Sequence, residues 1–343
     1  MSDIKTLGWI LSRFYAAQHF SAADRALGQQ LVRYIKSQYA RTIRALPWLD
    51  DPVRAVATRK IEKLQALIGY PDSTFGRPVD LNDAEAVLRY YADVNITDGY
   101  FGNVAHLTKR AVARDWSRLG TPYDEGEWLM TAQTVNAYND IGSGVVVFPA
   151  AILQPPYFGA DLPSYVNFGV TGWTIGHEVS HSFDSSGRRY DLDGAYGNDW
   201  WTARTDAEFQ LRAQCFVEQY ERYAVQGLDG KPLHLNGKLT LGENIADAGG
   251  VDTAFLAWQQ HRVDHPEQDK DLPGLARWTH EQLYFMAFAS LWCSKSERKL
   301  LVSQVYDDTH SRPQFRVKGT LENSRYFREH FGCPVKEPTC KIW

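Results

Sequence analysis

The sequence predicts a mainly α-helical protein with a small antiparallel β-sheet, an α+β arrangement. Apolar residues recur at helical spacing over long stretches, whereas strand-favouring residues concentrate between residues 130 and 148. Of the 343 residues, 44% are hydrophobic and 23% are charged, which is typical of a soluble globular protein. We expect residues 1–343 to form a single lobe, in which 1–120 are a helical scaffold and 121–343 carry the functional segments.

Three helical segments are predicted within this scaffold. Ser21 and Asp24 resemble a capping box, and apolar residues then recur every four positions in a helix that ends at Pro47. A second helix is predicted over residues 52–68, because its apolar residues also fall on one face. A third helical stretch is expected over residues 82–117.

Two strands are predicted next, over Met130–Tyr138 and Val145–Phe148, because residues with high β-propensity predominate there. The segment Gly142–Gly144 supplies a turn between them. An edge strand at this position could pair with an extended peptide, main chain to main chain. Two later helices are predicted over residues 203–224 and 278–291.

The segment His177-Glu178-Val-Ser-His181 has the spacing of a metal site. Positions i and i+4 lie on one face of a helix, so His177 and His181 can present two imidazoles to one ion. Glu178 projects about 100° around the helix, where it can act on a metal-bound water without being a ligand. The alternative is a surface helix with solvated side chains. The small and apolar flanking residues favour a buried helix, in which charged groups need partners.

A second polar pair at helical spacing lies in Gly242–Gly250. Taken alone, Glu243 and Asp247 are explained as acidic residues favoured at the start of a helix. A catalytic zinc usually takes three protein ligands, so beside the two histidines Glu243 is the candidate third ligand. Asp247 is a candidate acceptor for the free N–H of a metal-bound histidine. Asp184 is a candidate for a similar role, with a cap or turn residue as the alternative.

These two motifs, with three others in the same order, resemble the neprilysin family of zinc endopeptidases, which includes endothelin-converting enzyme and oligopeptidase O. The other three lie at 135–158, His310–Asn323 and Cys340–Trp343. The similarity extends over residues 46–343, with departures at Asn139 and Gly144 in the predicted turn.

The resemblance implies a thermolysin-like zincin lobe that holds one Zn²⁺ per chain. Its ligands would be His177, His181 and Glu243, and Glu178 would be the catalytic base. Asp247 would support catalysis by orienting a ligand.

The remaining site residues are also implied by the resemblance. His310 would donate to the developing oxyanion, and Arg316 would hold the substrate carbonyl. The other residues implied in substrate binding are Asn136, Ala137, Ile152, Tyr157, Trp173, Leu291 and Trp292. Because most of these side chains are apolar or aromatic, we expect a preference for a large hydrophobic residue after the cleaved bond.

The function implied is zinc-dependent hydrolysis of peptide bonds in short peptides. Family members are considerably longer, and the amino-terminal lobe that they carry is absent from this sequence. The alternative is a catalytic half-enzyme, or a non-catalytic zinc-binding subunit, that needs a companion polypeptide to supply the second lobe.

The compartment depends on the four cysteines. The resemblance implies a bond between Cys215 and Cys340 in an exported protein, with Cys293 and Cys333 free or bonded to a companion chain; in the cytosol all four would be thiols. We find no secretory signal or membrane span, so we expect the chain as it stands to be cytoplasmic, or extracellular within a processed or two-chain protein. A net charge of −4 gives no reason to expect binding to nucleic acid.

Overall fold

The computed structural model describes residues 5–73, 78–122, 126–197, 199–334 and 339–343. Its α-helices are α1 Gly8–His19, α2 Ala22–Ala45, α3 Asp51–Lys63, α4 Ala84–Tyr90, α5 Tyr100–Ser117, α6 Ser164–Asn167, α7 Trp173–His181, α8 Ala203–Glu221, α9 Leu241–Asp264, α10 His280–Ser290, α11 Arg298–Asp307, α12 Pro313–Asn323 and α13 Arg325–Phe331. Its strands are β1 Gln65–Gly69, β2 Tyr138–Asp140, β3 Val145–Pro149, β4 Ala224–Gln226 and β5 Pro232–His234. The predicted mainly α class is confirmed.

The chain divides into two compact units. The first comprises Met1–Gln29 and Gln65–Gln154, and the second comprises Gln30–Leu64 and Pro155–Trp343. These boundaries do not coincide with the expected division at residue 120, and the single-lobe organisation stays a prediction.

The first unit is built on a three-stranded sheet in the order β1-β3-β2. Strand β2 pairs with β3 in the expected antiparallel direction, and β1 pairs with β3 in parallel. One group of buried apolar side chains forms a core cluster in this unit: Trp9, Leu67, Val79, Leu81, Val87, Tyr91, Trp128, Val145 and Val147. The sheet is therefore mixed rather than purely antiparallel.

The predicted helix over residues 52–68 is wrong in its last turn, because α3 ends at Lys63. Each residue of Gln65–Gly69 instead pairs with one of Val145–Pro149, a contact between distant segments that helical spacing cannot reveal. The predicted stretch over 82–117 divides into α4 and α5.

The predicted strand over Met130–Tyr138 is also wrong, because β2 begins only at Tyr138. The backbone groups before it are used elsewhere: Ala132 N–H donates to Ser12 Oγ (3.1 Å), and its carbonyl accepts from the amide of Ala151 (2.9 Å). The other predictions are confirmed within a few residues, including the helices at 203–224 and 278–291 and the strand at 145–148.

In the second unit, α9 packs against α7, α8 and α12. A disulfide between Cys215 on α8 and Cys340 confirms the expected pairing, whereas Cys293 and Cys333 are exposed and not disulfide-bonded. The carboxyl-terminal Trp343 is buried. Across the described ranges, no helix has both the length and the apolar character needed to cross a membrane.

Candidate metal centre

Helix α7 presents His177 and His181 on one face, as their spacing predicts. Their Nε2 atoms lie 3.0 Å apart. The helix follows directly on a π-helical segment, Phe168–Gly172, and such segments occur frequently at functional sites. Every residue from Trp173 to Ser180 is buried, so this face points into the protein interior.

Helix α9 supplies the third candidate ligand because it crosses α7 at very short range. A Cβ atom on Gly176 would lie 3.0 Å from Gly250 Cα, and one on Gly250 would lie 2.8 Å from the backbone nitrogen of His177. Glycine at both positions permits this approach. It brings Glu243 Oε2 to 3.3 Å from His177 Nε2 and Oε1 to 3.7 Å from His181 Nε2. The ligand-type atoms of these three side chains all lie within 4.8 Å of one another.

A carboxylate orients each imidazole through its other nitrogen. His177 Nδ1 lies 2.9 Å from Asp247 Oδ1, and His181 Nδ1 lies 2.6 Å from Asp184 Oδ2. The His181 contact is a hydrogen bond, and because an ionised carboxylate can only accept, the neutral His181 ring carries its proton on Nδ1 and presents a lone pair at Nε2. The His177 contact lacks good hydrogen-bond geometry, but it places the Asp247 charge beside Nδ1, which favours the same tautomer. Both lone pairs therefore face the same small volume as the Glu243 carboxylate.

This donor set fits a bound cation. Two lone pairs at 3.0 Å repel each other unless positive charge lies beside them. Glu243 Oε2 is buried and makes no hydrogen bond of good geometry. Burial lowers the pKa of His181, but hydrogen bonds with Asp184 and Glu243 outweigh burial and raise that pKa well above its usual value. The carboxylates around this ring therefore favour a positive charge there, which a bound cation would supply. Two imidazoles and one carboxylate are a ligand set typical of Zn²⁺.

The pKa values of two further acids at the site are shifted in opposite directions. Glu178 is buried beside the ligands, and burial raises the pKa of its carboxyl, as suits a proton acceptor working near neutral pH. Burial also raises the pKa of Asp247, but the Arg316 guanidinium outweighs burial and holds it below its usual range. Arg316 donates to both Asp247 oxygens, at 2.8 and 2.6 Å. Asp247 therefore stays ionised and can accept from His177.

His310 reaches the ligand set from the loop between α11 and α12. Its Nε2 lies 3.2 Å from Glu243 Oε2, and its Nδ1 lies 3.0 Å from Asp308 Oδ1. The His310 side chain is 47% exposed, against 7% for His177. An imidazole in this position can contact both the ligand set and an incoming molecule.

This loop is attached to α9 beside the third candidate ligand. Ser311 Oγ donates to Asn244 Oδ1 at 2.7 Å, and Asn244 Nδ2 donates to Thr240 Oγ1 at 2.9 Å. The Arg312 guanidinium donates to Asp308 at 2.7 Å, which closes the loop on itself. No local sequence signal identified Ser311, Asn244 or Asp308.

Aromatic side chains lie near the candidate ligands in the second unit, and we call Trp173, Trp292 and Tyr157 the aromatic wall. The rings of Trp173 and Trp292 meet edge to face with centroids 5.2 Å apart, and the Arg316 guanidinium lies 4.1 Å from the Trp292 ring centroid. Tyr157 Oη donates to the Ser290 carbonyl at 3.2 Å, next to Leu291. The structure thus brings the predicted substrate-binding residues Trp173 and Trp292 into contact and places Tyr157 against the residue that precedes Leu291.

The other three predicted substrate-binding residues, Asn136, Ala137 and Ile152, belong to the first unit. Asn136 is exposed, and its Oδ1 accepts from the amide of Ala137 at 2.9 Å. Their contact with substrate stays a prediction.

Comparison with known proteins identifies related sequences over nearly the whole chain. Models described as peptidase family M13 match residues 2–71 and 136–341. Neprilysin-3 of Drosophila melanogaster is 37% identical in an alignment 343 residues long, which covers 98% of this chain and 42% of that protein. Neprilysin-11 of Caenorhabditis elegans is 35% identical in an alignment 338 residues long, which covers 96% of this chain and 38% of that protein. The chain thus spans less than half the length of these relatives.

The fold also resembles that of a solved structure over nearly the whole chain. The Mycobacterium tuberculosis zinc metalloprotease ZMP1, in complex with an inhibitor, superposes with a TM-score of 0.82 at 32% identity. The match covers 98% of this chain and 49% of that one. Both candidate metal segments, His177–His181 and Gly242–Gly250, fall within the longer stretch matched by the family model.

Proposed function

This chain belongs to peptidase family M13, which confirms the resemblance to the neprilysin family, and from that premise we propose that it is a zinc-dependent endopeptidase acting on short peptides. The observation that carries the proposal is the convergence of His177 Nε2, His181 Nε2 and the Glu243 carboxylate on one buried volume. Buried groups that carry lone pairs or the same charge repel each other. They converge in this way where a cation binds all of them.

One Zn²⁺ per chain would be held by His177, His181 and Glu243, with Asp247 and Asp184 orienting the two imidazoles. When bound, zinc supplies Lewis-acid activation of water and of the peptide carbonyl. The buried helices α7 and α9 close one side of the site. A substrate would therefore enter from the other side, where His310 is half exposed.

Glu178 would move the proton in the reaction. Its carboxylate accepts a proton from the water whose oxygen attacks the peptide carbon, and it delivers that proton to the amine that leaves as the C–N bond breaks. His310 would donate a hydrogen bond to the oxygen that becomes negative as the carbonyl is attacked. Arg316 uses two of its nitrogens on Asp247 and retains further N–H groups for a substrate carbonyl.

We further propose that the aromatic wall selects a large hydrophobic residue after the cleaved bond. Tyr157, Trp173, Leu291 and Trp292 would line this pocket, and apolar side chains gain free energy by leaving water there. Paired peptides that differ only in Phe or Asp at that position test the idea. Equal turnover of both peptides would contradict it.

The substrate backbone would be held by the segment before β2. Asn136 presents an exposed side-chain amide, and the carbonyl of Ala137 follows it. An extended peptide could pair with this segment through main-chain hydrogen bonds. Loss of the side-chain amide in Asn136→Ala should then raise KM for peptides.

The disulfide between Cys215 and Cys340 supports an oxidising compartment, because such bonds rarely persist in a reducing cytosol. The expected cytoplasmic location of the chain as it stands finds no support. We propose instead that the chain acts outside the cytosol, as part of a processed or two-chain protein.

A half-enzyme is the second candidate, motivated by two exposed cysteines that are not disulfide-bonded. The chain spans 42% of the Drosophila protein and 49% of the mycobacterial one. A companion polypeptide would supply the second lobe, and the exposed Cys293 and Cys333 could bond to it. The chain would then cleave peptides only after co-expression with the amino-terminal portion of a family member, and the two would elute together in size-exclusion chromatography. A chain that binds zinc but stays inactive in both states would be a non-catalytic subunit.

Metal content tests the site itself. Elemental analysis should find one zinc in the purified chain, none in Glu243→Ala, and one in Glu218→Ala, where the altered acid is exposed on α8. The same samples are incubated with a peptide mixture and read by mass spectrometry. Full zinc content in Glu243→Ala would contradict the assigned ligand set.

A further inference from the structure

A buried lysine contacts the loop that follows α7. Lys60 projects from α3, and only 7% of its surface is exposed. Its Nζ donates to three main-chain carbonyls, those of Ser182 (3.0 Å), Gly187 (2.9 Å) and Tyr190 (2.8 Å). An ammonium group has three N–H donors, so all of them are used on a single loop.

That loop, Ser182–Tyr190, carries the carboxylate that orients one imidazole, and we call it the Asp184 loop. Asp184 Oδ1 accepts from the amides of Ser186 (2.8 Å) and Gly187 (2.7 Å), while Oδ2 lies 2.6 Å from His181 Nδ1. The loop folds tightly against the end of α7, because a Cβ atom on Gly187 would overlap the His181 carbonyl oxygen. The position of Asp184 is therefore tied to the path of this backbone.

The ammonium stabilises the convergence of the three carbonyls. Their oxygens carry partial negative charge, and a buried ammonium compensates it with one N–H for each. The carbonyls of Gly187 and Tyr190 also accept from Tyr190 N–H (3.2 Å) and Trp200 Nε1 (3.1 Å), respectively, so Lys60 adds a second donor to these two. Burial lowers the pKa of Lys60, and the charges of Asp184 and Asp191 partly offset this effect. The net result is a pKa of about 8, so the ammonium remains mostly charged at neutral pH. The Phe183 ring centroid, 5.5 Å from Nζ, adds a favourable contact.

We propose that Lys60 is a positioning residue for the metal centre: it fixes the Asp184 loop and, through Asp184, the orientation of His181. The inference rests on the proposed zinc site. Without the ammonium the loop would relax, and His181 would lose the acceptor that keeps its proton on Nδ1 and its lone pair on Nε2. Losing such an outer partner typically weakens metal binding about 10–100-fold.

The test compares two lysines on the same helix. Lys60→Met removes the buried ammonium, whereas Lys63→Met removes an exposed one that donates to Leu192 O (3.1 Å) and Asp193 Oδ1 (3.0 Å). Zinc dissociation constants are measured by chelator competition, with circular dichroism as the check on folding. We expect at least about tenfold weaker zinc binding for Lys60→Met and an unchanged constant for Lys63→Met. A folded Lys60→Met that binds zinc within threefold of the wild type overturns the proposal.

A double-mutant cycle separates positioning from general stability. If Lys60 acts through Asp184, then Lys60→Met should weaken zinc binding by less than about threefold in an Asp184→Asn background. Fully additive effects of the two substitutions would overturn the proposal, since they would show that Lys60 acts by another route.

Two further measurements keep the test decisive. Should Lys60→Met not fold, Lys60→Gln retains two N–H donors for the carbonyls and is measured in the same way. Fivefold or greater weakening supports the proposal, and a smaller change overturns it. If the wild-type chain binds no zinc, the metal site itself is wrong; if it binds zinc and the Lys60 variants bind equally well, only the role of Lys60 is wrong.

Discussion

Two regions meet at the metal centre, and they are held in different ways. The helix crossing, defined as α7 with residues 241–250 of α9, is buried and brings two backbones together through glycines. The His310 loop, defined as residues 308–312, carries a half-exposed side chain and is attached through hydrogen bonds such as Ser311 to Asn244. Packing therefore positions the metal ligands, and a few polar contacts position His310. We expect changes in the crossing to affect metal binding or folding, and changes in the loop to affect turnover alone.

The largest effect on turnover should come from Glu178→Gln, the one change in the crossing that leaves the ligands untouched. The amide has nearly the same shape as the carboxylate but cannot accept the proton, so kcat should fall on the order of 10²–10⁴-fold. Zinc content should stay at the wild-type level. Glu218→Gln, at an exposed position on α8, is the control and should be fully active. Undiminished hydrolysis by Glu178→Gln would remove Glu178 from the reaction.

His310→Ala tests the loop side of the comparison. Loss of one donor to a developing oxyanion typically costs about 10²–10³ in kcat, or ~3–4 kcal/mol of transition-state stabilisation. Because the side chain is half exposed and is not a ligand, the zinc dissociation constant and Tm should stay close to wild type. His234→Ala removes another exposed histidine and should change none of these quantities. A parallel loss of zinc would show that His310 belongs to the ligand set.

Local spacing predicted the two polar helix faces of the helix crossing but not their assembly, and it did not predict the His310 loop. The pairs His177/His181 and Glu243/Asp247 were identifiable because helical periodicity states which residues share a face. That the two faces meet was inferred from the need for a third zinc ligand and from the family resemblance, not from spacing, because the contact depends on how closely two distant helices pack. Gly176 and Gly250, which permit that contact, carry no local signal of it.

The features that the sequence did not reveal share this long-range origin. Strand β1 was assigned to a helix, since only its pairing with β3 makes it a strand. Lys60 reads as an ordinary polar position on α3, and its partners are main-chain carbonyls, which every residue possesses. The same holds for the bond between Ser311 and Asn244, whose residue types are common in turns and helices alike.

Gly250→Ala tests whether packing positions the ligands in the helix crossing. The new methyl group would meet the His177 backbone nitrogen at 2.8 Å, and forced overpacking of this kind typically costs about 1–3 kcal/mol. We expect a lower Tm and weaker zinc binding together. Gly102→Ala is the matched control: it lies in α5 with no atom within 4 Å of the added carbon, so it should be neutral or slightly stabilising. Equal Tm and equal zinc affinity in the two variants would mean that the helix crossing accommodates an added methyl group without cost.

Ser311→Ala should give the smallest effect. It tests whether a change in the His310 loop alters turnover without altering the helix crossing. The change removes a buried hydrogen bond to Asn244, worth about 1 kcal/mol, and frees the segment that holds His310 in place. If that bond positions the imidazole, kcat should fall about fivefold while zinc affinity is unchanged, because the helix crossing does not depend on it. Ser303→Ala, which removes an exposed hydroxyl on α11, should leave both values at wild type. A drop in zinc affinity in Ser311→Ala would mean that the loop also supports the ligands, since Asn244 directly follows Glu243 on α9.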